Sequence, residues 1–161
     1  MENLIVLVLC CGLFTSCNIT PEFPDVSACV TLYQTYAASF QAAAVTLMEH
    51  CEAGFSIVRQ AEAPKNKTEY QVHELYMQSA QPLEASSYET IYRSVEPLFQ
   101  QAQIVCIGVG ENGIGFILSY VYGTEAAIYY MYEGELPEPG LQSIVERERI
   151  DDSWVVMIQQ D

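Results

Sequence analysis

IVCIGVGENGIGFILSYVYGTEAAIYYMYE, residues Ile104 to Glu133, is the stretch on which the fold turns. Before it, apolar residues recur in threes and fours. From Gln103 onward they come in β-branched and aromatic runs broken by glycine-bearing turns, the mark of strands. Three strands are predicted here: Ile104–Val109, Ile114–Tyr122 and Ala126–Glu133. Glu111-Asn112-Gly113 joins the first two, since Asn-Gly is the strongest short hairpin signal. Gly123-Thr124-Glu125 joins the next two. Beyond them GELPEPG, Gly134 to Gly140, reads as a polar loop, and Ser143–Arg149 as a half-exposed strand. Asp151-Asp152 reads as a turn. Ser153–Gln160 reads as the last strand, with Trp154, Val156 and Ile158 on its buried face.

Upstream, Asp25 is a good N-cap. Val26, Cys29, Val30, Tyr33, Tyr36, Ala37, Phe40, Ala44, Leu47, Met48 and Cys51 then form one helical face, which Phe55 and Val58 extend. The spacing predicts a long helix from Val26 to Ala61, bent at Gly54 and ended by Pro64. Thr68 with Gln71 has capping-box spacing, and Val72, Leu75, Tyr76 and Ser79 or Ala80 suit a second helix. A β-hairpin of Phe55–Ala61 with Tyr70–Met77 competes with that reading. Ser86 with Glu89 opens a third helix through Ile91, Tyr92, Val95 and Phe99, interrupted or kinked at Pro97. The fold class expected is α+β: N-terminal helices, one of them long, packed on a C-terminal antiparallel β-meander of four to five strands. Residues 26–161 make a single domain in this reading.

The N-terminus reads as an address. Leu4–Phe14, LIVLVLCCGLF, is 11 apolar residues. A membrane-spanning helix needs about 20, whereas the core of a signal peptide is shorter. Phe14-Thr15-Ser16-Cys17 then places small residues just before a cysteine. This resembles the lipobox of bacterial lipoproteins. The resemblance covers the first 17 residues and implies a signal peptide at 1–16, a lipid-carrying Cys17, a linker at 17–25 and attachment to the cell membrane or cell surface. Two positions depart from the pattern: Met1-Glu2-Asn3 carries no Lys or Arg, and Phe14 replaces an aliphatic residue. An ordinarily cleaved signal, or a retained N-terminal element, are the other readings. Asn18-Ile19-Thr20 and Asn66-Lys67-Thr68 are glycosylation sequons, which admit a secreted, non-lipidated glycoprotein as an alternative.

The chain has 161 residues and a net charge of −15, from 21 acidic and 6 basic side chains. That balance repels phosphate backbones and anionic lipid surfaces, so nucleic acid is excluded as a partner class. Cys29, Cys51 and Cys106 allow at most one bridge, and free thiols are expected. If one helix carries both Cys29 and Cys51, their 22-residue separation is roughly 33 Å, far past a disulfide's reach of about 7 Å.

Catalytic sets do not assemble, and the chain is read as no enzyme, with a small hydrolase as the alternative. His50 and Cys51 are adjacent, and neighbours on a helix point about 100° apart. His73-Glu74 has no second histidine at metal-binding spacing. Asp151-Asp152 suits a turn better than a carboxylate pair. Glu133, Glu135 and Glu138 lack calcium-loop spacing. GVGENGIG, Gly108 to Gly115, lacks the Lys-Ser/Thr ending of a phosphate loop. No cofactor and no metal are expected. The outstanding feature is 11 tyrosines. Tyr120, Tyr122, Tyr130 and Tyr132 are the candidate ligand-facing aromatics. The expected function is an extracytoplasmic, lipid-anchored protein whose domain binds a protein or small-ligand partner, with the membrane reached through its N-terminal lipid.

Overall fold

A computed structural model describes residues 23–59, 69–79, 81–134 and 143–160. The signal peptide, Cys17, both sequons, Glu135 and Glu138 lie outside the described residues. The first described element is α1, Val26–His50, and Asp25 caps it as expected: Ala28 N donates to Asp25 Oδ1 at 2.7 Å. Its buried stripe is Val26, Cys29, Tyr33, Phe40, Ala43, Ala44 and Leu47. The helix breaks regularity at Tyr36 (φ −116°, ψ 22°). Just ahead of that point, Thr31 and Thr35 each donate a hydroxyl to the carbonyl four residues back, a bond that bends helices.

The expected run to Ala61 is corrected. α1 ends at His50, Cys51 is extended, and its N–H still donates to Leu47 O. Gly54, at φ +90°, does not bend a helix but redirects the chain into a strand. Its N–H donates to Val109 O, and Val109 N–H returns to Phe55 O. From there Phe55 and Ile57 are the buried residues, a step of two and no longer a helical step.

The second predicted helix is also corrected, in favour of the competing strand reading. β1 is Ser56–Arg59, β2 is Glu69–Val72 and β3 is Leu75–Gln78. β2 and β3 form a hairpin across His73-Glu74, with His73 at φ +53°, and β1 pairs with the other edge of β3. Strands of four residues offer too short a window for periodicity to separate helix from strand. The next helix is α2, Ala85–Gln100, whose N-cap Glu84 makes no side-chain capping bond. The helix runs on through Pro97 for one more turn, closing with Gln101 N–H on Pro97 O.

The remaining strands are β4 (Cys106–Val109), β5 (Gly113–Val121), β6 (Thr124–Met131), β7 (Ser143–Arg149) and β8 (Trp154–Gln160). All eight strands form one antiparallel sheet in the order β2-β3-β1-β4-β5-β6-β8-β7. The architecture is α+β, with eight strands among the described residues where four to five were expected. The C-terminal part is not a plain meander, because β8 and not β7 lies beside β6. Two turns also shift. Gly110 N–H donates to Gly113 O, so Glu111-Asn112 is the turn, one residue before Asn-Gly. Tyr122-Gly123 is the next turn, with both residues at positive φ (51° and 77°), as a type I′ hairpin requires.

α1 packs on α2 and crosses β6, β7 and β8, while α2 lies over β2. Between helices and sheet an aromatic core forms. Phe40 meets Phe116 edge-on at 5.2 Å, Tyr33 meets Trp154 at 5.0 Å, and Phe116 meets Trp154 at 5.8 Å. Trp154, 3% exposed, faces the helices with Val156 and Ile158, as its alternation predicted.

Candidate functional site: a seam beside the C-terminal half of α1

The C-terminal half of α1 runs past three sheet ends: the β4–β5 turn, the end of β6, and the β7–β8 turn. Backbone bonds tie these ends together. Tyr132 N–H donates to Asn112 O at 2.9 Å, and Met131 N–H to Ser153 O at 2.7 Å. Two open clefts lie along the resulting seam. One, of about 480 Å³, lies among Gln41, Val45, Tyr130, Asp151, Asp152 and Trp154. The other, of about 350 Å³, lies among Met48, Cys51, Val109, Glu111 and Tyr132. Tyr130 and Tyr132 stand between them, edge to face with centroids 6.1 Å apart. Tyr130 also meets the Trp154 indole edge-on at 5.1 Å. Val45 and Met48, three apart on α1, keep 50% and 40% of their surface in water. The seam therefore joins half-buried rings to exposed aliphatic surface, the composition common in binding sites.

The carboxylates sit on its rim. Asp151 Oδ1 accepts from Ser153 N–H at 2.8 Å and from Trp154 N–H at 2.9 Å, which sets the β7–β8 turn. Asp151-Asp152 is thus the turn expected of it, and the turn aims into a cleft. Burial pushes the Cys51 thiol up to about 12, and raises the Tyr132 phenol as well. A thiol held protonated is a poor nucleophile at neutral pH.

Of the four tyrosines singled out in the sequence, Tyr130 and Tyr132 come together and line the seam. Tyr120 and Tyr122 do not join them. Tyr120 pairs with Glu125, five residues along β6 from Tyr130, which is about 17 Å of strand. Tyr120 is 55% exposed and Tyr122 wholly exposed.

Sequence reasoning passed over Tyr129. Successive strand residues point to opposite faces, so Tyr129 must leave the side that Tyr130 takes. Its ring lies across Gly115, where an added Cβ would stand 2.8 Å from it. Its hydroxyl donates to Glu125 Oε1 at 2.8 Å. Burial, then the Glu125 carboxylate, then Cys106 raise its phenol far above the usual range. On the same face Met131, Val155 and Met157 form a small buried cluster with Tyr129 and Ile144. The glycine directly across from Tyr129 was the available signal.

Among the described residues no group of three His, Cys, Asp or Glu side chains gathers around a metal-sized space. No described helix is long and apolar enough to cross a membrane. No protein-family model matches the chain, and no curated protein or solved structure matches it significantly.

Proposed function

We propose that the chain is an exported protein, anchored to a membrane through lipid on Cys17, whose domain binds a ligand or partner at the α1 seam without transforming it. One observation carries the binding half of this reading: two clefts meet at the Tyr130–Tyr132 pair beside the exposed Val45 and Met48. The lipobox-like step into Cys17 supports the anchoring half.

Each half has its own test. Intact mass of the protein from its native host should equal the chain from Cys17 plus diacylglycerol. A soluble protein that keeps Met1 rejects the anchor, and a glycan on Asn18 or Asn66 makes it a secreted glycoprotein. Trp154 is the sole tryptophan, it borders one cleft, and its indole touches the Tyr130 ring, so its emission reports occupancy. A ligand of the seam should shift that emission in the wild type and in Tyr122→Leu, but not in Tyr130→Leu/Tyr132→Leu. A ligand that acts equally on all three proteins places binding elsewhere.

A further inference from the structure

We infer that the occupant of the seam is a basic segment of a partner protein, with cationic side chains in the two clefts and an apolar side chain on Val45 and Met48. This rests on the binding reading above and names its partner chemistry. The charge at the seam has one sign. Asp151 and Asp152 border one cleft and Glu111 the other, and among the described residues no Lys or Arg lines either. At the β7–β8 turn Arg149 is engaged with the backbone, its Nη2 donating to the carbonyls of Gly134 and Asp152. The whole chain adds to that field at net −15, which steers cations and repels anions. The rings suit the same guest: a tyrosine face attracts an ammonium or guanidinium group, and rings beside carboxylates hold it better than either alone.

Form argues for a segment of chain and against a small free cation. The two clefts are separated by the Tyr130–Tyr132 pair, so one compact ion fills only one of them. Aliphatic surface runs from one cleft to the other: Val45 on the wall of the first and Met48 on the wall of the second lie three residues apart, about 4.5 Å along the helix axis. An extended peptide offers alternate side chains on one side every 6.8 Å or so, which lets one chain reach a cleft, the strip and the next cleft.

The test titrates the folded protein with four probes: the pentapeptide Lys-Ser-Leu-Ser-Lys, which puts lysine, leucine and lysine on one side of an extended chain, its counterparts with serine or glutamate in place of both lysines, and choline. Trp154 emission and backbone amide shifts of Gln41–Cys51 and Tyr130–Tyr132 are followed at low and high salt. The lysine peptide should bind at least about fivefold tighter than the serine peptide, and weaken as salt rises. Glu111→Gln/Asp152→Asn, which spares the turn-setting Asp151, should remove most of that preference while leaving the melting midpoint in place. Equal binding of the lysine and serine peptides overturns the cationic guest and leaves the binding reading standing. Choline binding as tightly as the lysine peptide overturns the protein segment in favour of a small cation. Absence of any shift with all four probes overturns this inference; the wider ligand comparison of Tyr130→Leu/Tyr132→Leu with wild type then decides the binding reading separately.

Discussion

The β5–β6 hairpin carries tyrosines at both ends, and the two ends have different fates. At the Tyr122-Gly123 tip, Tyr122 is wholly exposed in a left-handed backbone conformation. At the other end, Tyr130 and Tyr132 are half-buried and flanked by clefts, with Tyr130 held against Trp154 and Tyr132 against Tyr130. Side-chain type is the same at both ends. The difference is that α1 brings Gln41, Ala44, Val45 and Met48 to one of them. An aromatic cluster in sequence thus marks adhesive surface, while a neighbouring element decides whether that surface becomes a site.

The strongest way to break this comparison is to empty the packed end. Trp154→Ala should cost about 3–5 kcal/mol in a urea denaturation followed by circular dichroism, since it removes the hub of Tyr33, Phe40, Phe116 and Tyr130. Tyr122→Ala at the far tip should stay within about 0.5 kcal/mol. Equal losses would mean that the two ends do not differ energetically.

Glycines sharpen the contrast next. A Cβ at Gly113 would overlap the Tyr130 carbonyl oxygen, a backbone atom that cannot swing aside. Gly113→Ala should therefore cost about 3 kcal/mol and displace Tyr130, visible as altered Trp154 emission. Gly123→Ala meets the conformational penalty of φ +77°, about 1–2 kcal/mol, and should leave emission unchanged.

Raising the pH titrates two thiols of the α1 side. Burial raises Cys51 to about 12 and Cys29 to about 11, against 9.0 for a free thiol. The folded state thus favours the protonated thiols. Their stabilising contribution is complete below pH 9 and is lost as pH climbs through 11 and 12. Melting midpoints should fall over that window, and Cys51→Ala should flatten the fall. At neutral pH, Cys51 should resist alkylation until the protein unfolds. A Cys51→Ala profile that matches the wild type would sink this assignment.

The smallest effect expected is a gain. Asn tolerates the left-handed region better than Tyr, so Tyr122→Asn should stabilise the hairpin by a few tenths of a kcal/mol and leave the seam's ligand response intact. A loss of stability would show that the exposed ring has a packing role.

Much of the α1 side was legible in the sequence. Asp25 as the cap, the buried stripe from Val26 to Leu47, and the inward Trp154 follow from local periods of 3.6 and 2. Phe55 to Gln78 was not: β1, β2 and β3 are four residues each, and Val72, Leu75 and Tyr76 satisfy a helical spacing as well as a hairpin. Of the candidate site, Tyr130 and Tyr132 were found because strand aromatics are conspicuous. Val45 was not, being a polar-side residue of α1 by spacing alone.

By itself, the sequence determined what depends on near neighbours: the long helix and the long C-terminal strands, the Asp25 cap, the Asp151-Asp152 turn, the sign of the net charge, and which face of α1 is buried. Only the tertiary structure decided what depends on distant ones. It inserted three short strands between the helices, set β8 between β6 and β7, and sent Tyr129 and Tyr130 to opposite faces with different partners. It also left Tyr120 and Tyr122 in water. The reason is physical. A side-chain period is fixed within a few residues by backbone geometry, whereas strand pairing and the cover over a ring are settled by burial against residues far along the chain, which no local pattern encodes.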